Sequence, residues 1–252
     1  MLTAENISPP KVKLGRAVRG FIRLRRNKED TRQVFEIVNA LAGGSSFRAY
    51  DRMLQSVEGG RQAYDRAELA PYFDDPDWLA RFPAGTVGAA YREFRERRSL
   101  TADGLAQEAH KASDRVDDMH PVAWYARRVR DVHDVWHTLA GYGTDALGES
   151  CVLGFTFAQT RNPGIAAIAF GSAFEFSHRN PGPPYLRAVI EGWRLGRAAS
   201  PLICEDYLAL MAEPLASARK RLGLRTPRIY LSVPFDARET RIAQPRRLWN
   251  AN

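Results

Sequence analysis

The stretch from Arg130 to Glu149 constrains this chain more than any other. In Arg130-Asp131-Val132-His133-Asp134-Val135-Trp136-His137 the metal-ligand residue types are spaced for a helix, and Gly141-Tyr142-Gly143 then interrupts it. At about 100° per residue, His133, Asp134 and His137 fall within about 100° of arc, so all three can address one point. The glycine break should end this helix. Thr144 or Asp145 can cap the next, which brings Glu149 in near its start. Two imidazoles and two carboxylates then meet at a helix corner.

Around that corner the chain reads as helices. Pro121 suits the first turn of a motif helix running to about Ala140, in which Trp124, Val129, Val132, Trp136 and Leu139 recur at helical spacing and bury one side. Residues 1–10 form a flexible lead. From Lys11 to Arg26, Val12, Leu14, Ala17, Val18, Phe21, Ile22 and Leu24 interleave with Lys11, Lys13, Arg16, Arg19, Arg23, Arg25 and Arg26. This basic amphipathic helix can lie on an anionic bilayer, or be a core helix with a charged outer face. Asp30 or Thr31 caps a second helix, stopped by Gly43-Gly44. Short helices and turns fill Ser45 to Phe82, and a helix beginning near Thr86 turns Ala90, Tyr91 and Phe94 inward. Leu100 to Lys111 is a short helix or loop before the acidic Asp114, Asp117 and Asp118.

The helix after the corner is nearly all apolar and small, and Ala166 to Phe176 continues that character. Tyr185 to Ala199 follows with Ile190, Trp193 and Leu195 inward, then Cys204 to Leu222 as one further helix. Ile229 to Val233 suggests one short strand or an arm. The expected architecture is all-α: one helical domain over residues 27–226, preceded by the lead and amphipathic helix (1–26) and followed by an irregular basic tail (227–252).

Composition narrows the function classes. With 252 residues, 44% hydrophobic and 26% charged, the chain has the make-up of a globular protein with one core. Its net charge of +8 calls for an anionic partner such as nucleic acid, an acidic membrane surface or an acidic substrate. Nucleic acid is disfavoured, because aromatic residues do not interleave with the arginines in a recognisable RNA module. Cys151 and Cys204 form no C-x-x-C pair, which fits a reducing cytoplasm. The start lacks the continuous apolar core of a secretory signal. No apolar run reaches the roughly 18 residues of a membrane span, since Gln159 to Gly164 divides the longest.

Neutral imidazole and carboxylate oxygen suit a divalent first-row metal, with zinc first and manganese, iron or magnesium also open. With four or fewer protein ligands a coordination position can remain for water or substrate, which implies catalysis. The H-D-x-x-H spacing differs from the H-E-x-x-H of zinc proteases by one methylene, and the shorter Asp reaches a metal more readily than a scissile bond. An HD-type phosphohydrolase needs a further upstream His and a downstream Asp, which His110 or His120 and Asp145 meet only by force. The purely structural alternative makes His133 and His137 partly buried helix residues, with Asp134 paired to Arg130 at i, i+4.

The segment His133-Asp134-Val135-Trp136-His137, eleven residues and Glu149 resembles the H-D-x-x-H-x(11)-E signature of the Coq-four family of ubiquinone (coenzyme Q) biosynthesis proteins. Thr138 to Asp145 looks like that family too, as do Val34 to Ile37, Phe82 to Tyr91, Glu213-Pro214-Leu215, Arg219 and Leu222-Gly223-Leu224. The likeness extends over roughly residues 20–226. It departs at Phe82, where a Leu is common, at Cys204-Glu205-Asp206-Tyr207, and in the long basic tail. The resemblance implies a mostly helical fold and carries His133, Asp134, His137 and Glu149 over as metal ligands. It also implies removal of the ring carboxylate at ring carbon one of a polyprenylated hydroxybenzoate, in some accounts coupled to hydroxylation there. His133, Asp134 and Arg130 are then the expected catalytic residues, with Arg127 or Arg130 beside the metal to hold the carboxylate. The expected partners are a polyprenylated quinone precursor, an anionic membrane surface and other ubiquinone biosynthesis enzymes, with room for a homodimer. The implied location is peripheral, on the inner face of the cytoplasmic membrane or the matrix side of the mitochondrial inner membrane. The alternative is a non-enzymatic lipid-binding scaffold for that biosynthetic complex.

Overall fold

The structure, a computed structural model, describes residues 10–26, 31–98 and 120–238, and over these it is all-α. Among the described residues there are sixteen α-helices: α1 Leu14–Arg26, α2 Thr31–Ala42, α3 Ser45–Leu54, α4 Val57–Asp65, α5 Ala70–Phe73, α6 Pro76–Ala80, α7 Val87–Arg98, α8 Pro121–Asp131, α9 His133–Ala140, α10 Ala146–Thr160, α11 Pro163–Arg179, α12 Tyr185–Ala198, α13 Tyr207–Leu210, α14 Leu215–Arg221, α15 Arg228–Ser232 and α16 Phe235–Arg238. A 3₁₀ turn at Leu202–Cys204 precedes α13. The lead over residues 1–9, the Asp30 cap, the Leu100–Lys111 segment with His110, the acidic Asp114, Asp117 and Asp118, and residues 239–252 of the tail lie outside the described residues.

The core is built where α10 meets α12, with α11 packed on both and α2 and then α1 layered outside α11. Ile190, Trp193 and Leu195, expected inward on α12, are only half-buried, and Ala188, Val189, Gly192 and Gly196 take the contact instead. Close approach explains the difference. A Cβ on Gly192 would stand 2.4 Å from the carbonyl oxygen of Cys151 on α10, so only the smallest side chains fit between these helices.

The expected motif helix is two helices. Val132, at φ −86° and ψ −2°, tightens the turn between α8 and α9 and remains fully buried. The single helix expected over Cys204 to Leu222 is likewise divided. Asp206 caps α13 by accepting from the Ala209 N–H, and Pro214 is extended, so α14 starts afresh. The intervening loop serves α7, because the Met211 and Glu213 carbonyls accept from the N–H groups of Gly88 and Val87. The short strand or arm expected at Ile229 to Val233 is helical instead. Glu191 on α12 accepts from the N–H groups of Ile229 and Tyr230, which secures the first turn of α15.

Arg128 anchors α8. Fully buried, it lies against the rings of Trp124 and Tyr207 and donates to the carbonyls of Ile203 and Glu205 and to Gln62. Beside it, the Trp136 indole donates to the Tyr207 hydroxyl at 2.6 Å, which donates onward to the Leu202 carbonyl at 2.8 Å. These bonds tie α8 and α9 to the α13 region and fix the platform that presents His133 and His137.

No described helix is long and apolar enough to cross a membrane. α1 has an unusual polarity of size. It turns the small Ala17 and Gly20 toward α2 and leaves Leu14, Val18 and Ile22 outward at 68%, 56% and 49% exposure. These three recur every four residues and form one stripe, flanked by the exposed Arg19 and Arg23.

Candidate metal centre

α9 carries His133 at its first residue and His137 one turn later, so both imidazoles leave the same side of the helix. His137 is fully buried against Phe94 of α7, with ring centroids 5.2 Å apart, and the His133 ring stands perpendicular to it at 4.9 Å. Glu149 enters from the first turn of α10. Its Oε2 lies 3.4 Å from His133 Nε2 and 3.3 Å from His137 Nε2, and one ligand atom from each residue falls within 4.8 Å of the others.

These separations suit a shared ion. A tetrahedral divalent metal about 2.0–2.2 Å from nitrogen and oxygen donors would hold those donors about 3.3–3.6 Å apart, which the two histidine–glutamate separations match, while the three donor atoms together lie within 4.8 Å of one another. The His137 Nδ1 faces the Tyr142 carbonyl at 3.4 Å, an acceptor that would take the Nδ1 proton if Nε2 ligated an ion. Burial alone would push the Glu149 carboxyl up, but the His137 and His133 rings hold it well below the usual carboxylate range, in its anionic, ligand-competent form. Two imidazoles and one carboxylate leave a tetrahedral position vacant for an exogenous ligand. Half-exposed His133 and Glu149 form the solvent side of the cluster.

The corner that brings the two helices together is tightly specified. Gly141 ends α9 at φ 81°, and Asp145 caps α10 by accepting from the Gly148 N–H at 2.8 Å. A Cβ on Gly148 would stand 2.3 Å from the Gly143 carbonyl oxygen, so the loop folds against the helix it begins. Of the two caps open in the sequence, Thr144 and Asp145, the structure uses Asp145.

Three of the four expected ligands therefore converge, and Asp134 is not among the grouped donor atoms. Its carboxylate is buried near Tyr91 of α7, and burial together with Asp134 pushes the Tyr91 phenol up. Arg130 pairs with its neighbour in the chain. Its Nε and Nη2 donate to Asp131 at 2.9 and 2.7 Å, which replaces the pairing with Asp134 expected on a continuous helix. The break at Val132 changes the phase of the two residues. Arg127 pairs with Glu68. Asp145 is committed to Gly148 and Tyr230, and His120 caps α8, so neither completes a phosphohydrolase pattern.

Sequence reasoning missed three contributors. The Tyr142 carbonyl orients His137, Arg219 donates to the last-turn carbonyls of Thr138 and Leu139 on α9, and the Tyr230 hydroxyl binds the corner itself. Tyr142 and Arg219 had a signal in their places within family-like stretches, and Tyr230 had none.

Comparison with known proteins identifies the family. The crystal structure of a ubiquinone biosynthesis candidate from Nostoc punctiforme PCC 73102 shares the fold, with a TM-score of 0.64, 22% identity, and coverage of 86% of this chain and all of that one. The mitochondrial ubiquinone biosynthesis protein COQ4 homolog of Rattus norvegicus is 29% identical over 187 residues, and that of Xenopus tropicalis 30% over 179. Each match covers 70% of this chain, but only 64% and 61% of the respective relative. The fungal protein of Pyricularia oryzae is 30% identical over 182 residues, which cover 71% of this chain and 57% of that protein. A family profile described as coenzyme Q (ubiquinone) biosynthesis protein Coq4 matches residues 12–228, from the start of the described helices to the beginning of α15, and the chain belongs to that family.

Proposed function

We propose that this ubiquinone biosynthesis protein removes the carboxylate at ring carbon one of a polyprenylated hydroxybenzoate, using a divalent metal, with zinc first, held by His133, His137 and Glu149. The observation that carries this reading is the convergence of those three donors within 4.8 Å of one another, with Glu149 3.3–3.4 Å from both imidazoles and a solvent side left open. When bound, the ion would supply a positive centre for the carboxylate and phenolate oxygens of the substrate.

The protein's own groups define the rest. Glu149 and the Nε2 atoms of His133 and His137 would hold the cation, with the Tyr142 carbonyl placed to accept from Nδ1 of His137. Buried Phe94 and Tyr91 on α7 exclude water from the inner side. Asp134 adds negative charge next to the ligand stripe. Arg127 and Arg130 spend donors on Glu68 and Asp131, so the substrate carboxylate is assigned to the cation rather than to either guanidinium. In the decarboxylation, the bond from ring to carboxylate breaks, carbon dioxide leaves, and the ring keeps the electron pair. A proton from water at the exposed edge of His133 and Glu149 replaces it.

The isoprenoid tail calls for a bilayer, and α1 offers a surface for one in the exposed stripe Leu14, Val18 and Ile22 beside Arg19 and Arg23. The reading thus places the chain peripherally on an anionic membrane, where other biosynthetic enzymes work on the same lipid. The scaffold alternative shares this surface and the metal but not the chemistry.

Turnover separates the two. Purified metal-loaded protein in anionic vesicles, given prenylated substrate labelled in the carboxylate, is expected to release labelled carbon dioxide. A His133→Ala, Glu149→Ala double variant is expected to release none. Lipid binding without release by the wild type would leave the scaffold in place of the enzyme.

A further inference from the structure

The angle between the two ligand helices is set from outside them. α9 and α10 meet through residues 141–145, a loop with glycines at 141 and 143. A segment more than seventy residues later in the chain is fastened onto it at three points.

The first is a hydroxyl. Tyr230 Oη accepts from the Gly143 N–H at 2.9 Å and donates to the Asp145 carboxylate, whose other oxygen caps α10. The second is a ring. Tyr230 packs on Tyr142 with centroids 5.2 Å apart and planes at 74°, and Tyr142 is the residue whose carbonyl faces His137. The third is a guanidinium. Arg219 donates through Nε to the Leu139 carbonyl and through Nη2 to that of Thr138, both at 2.9 Å, at the C-terminal end of α9. One strap therefore touches the end of the histidine helix, the loop, and the cap of the glutamate helix.

The strap is itself anchored. Glu191 of α12 accepts from the N–H groups of Ile229 and Tyr230, and the Arg238 guanidinium lies 4.6 Å over the Tyr230 ring. Tyr230 is almost wholly buried. Its hydroxyl also fills the place a Gly143 side chain would need, since a Cβ there would meet both it and the Asp145 carboxylate at 2.7 Å. Loop and strap are fitted to each other.

We propose that Tyr230 is a positioning residue for the metal centre, which with Arg219 holds α9 and α10 so that the His133, His137 and Glu149 donors stand at ligating separation before an ion arrives. The inference rests on the reading of those three donors as a metal centre and extends it to residues that touch no ion. Its physical content is preorganisation: without the strap, the ion must hold a flexible corner together at a cost in affinity.

The test is zinc affinity of the full-length protein, by competition with a chromophoric chelator, together with the visible absorption of the cobalt-substituted form. Tyr230→Phe removes one oxygen and keeps the ring. It is expected to weaken zinc binding about 10- to 100-fold, the range for outer hydrogen-bond partners of metal sites, and to alter the cobalt bands. Asp145→Asn, which keeps an oxygen to cap α10 but loses the carboxylate, is expected to move both readouts the same way and serves if Tyr230→Phe folds poorly. Asp75→Ala removes the cap of α6, away from the corner, and is expected to lower stability while leaving zinc affinity and the cobalt spectrum unchanged. Wild-type affinity and spectrum in folded Tyr230→Phe would overturn the positioning role alone. A wild-type chain that takes up neither zinc nor cobalt would overturn the metal reading, and this inference with it.

Discussion

At the residue scale, the convergence of His133, His137 and Glu149 was legible because it rests on local periodicity. His133 and His137 share a face at any helical phase, and the Asp145 cap follows from residue type and position before an apolar run. Asp134 and Arg130 were harder, since their places depend on the turn at Val132. No Gly or Pro marks that turn, and its cause lies in tertiary packing of a residue with no exposed surface. Arg128 was illegible for the same reason: nothing near it in sequence distinguishes it from the solvated arginines. Its burial lowers the guanidinium pKa, yet its Nε and Nη2 donors meet two carbonyls and Gln62. Arg128→Ala leaves these acceptors unpaired and opens space between Trp124 and Tyr207. A loss of about 3 kcal/mol or more in urea unfolding is expected, and a change under about 0.5 kcal/mol would show that the anchor is dispensable.

At the element scale, helix existence was readable almost throughout and helix ends were not. Long periodic segments such as α2, α10 and α11 appear where their apolar spacing put them. Short elements did not follow, because α13, α14 and α15 hold few turns and owe their limits to Asp206, Pro214 and Glu191. The misjudged inner face of α12 has a different origin. Hydrophobic size favours Ile190 and Trp193 as core, but the separation of α10 and α12 admits only small residues. Gly192→Ala is therefore expected to cost about 2 kcal/mol, seen as a lowered denaturation midpoint, despite the better helix propensity of alanine. On α1 the same inversion leaves large residues outward. Replacing Leu14, Val18 and Ile22 together by Asp should abolish cosedimentation with anionic vesicles at little change in melting temperature. Retained binding would move the membrane contact to another face.

At the scale of the whole molecule, the fold links distant parts of the chain to one small cluster. α7 supplies Phe94 behind His137, α10 supplies Glu149, and the strap from α14 to α15 closes the corner from outside. The pair of helices that carries the ligands was visible in the sequence; the strap was not, since contacts across more than seventy residues leave no local pattern. A ligand that binds only the folded state stabilises it, so zinc at about 100 times its dissociation constant should add about 2.7 kcal/mol and raise the melting temperature by about 5–10 °C. Chelation should reverse the shift, and in the His137→Ala variant it should be absent.

Metal content of the purified protein, measured by elemental mass spectrometry per chain, tests the central claim most directly. The account expects one divalent ion per wild-type chain, and its loss from both His137→Ala and Glu149→Gln while each remains folded. A wild-type chain free of metal after reconstitution, or either variant retaining a full equivalent, would contradict it.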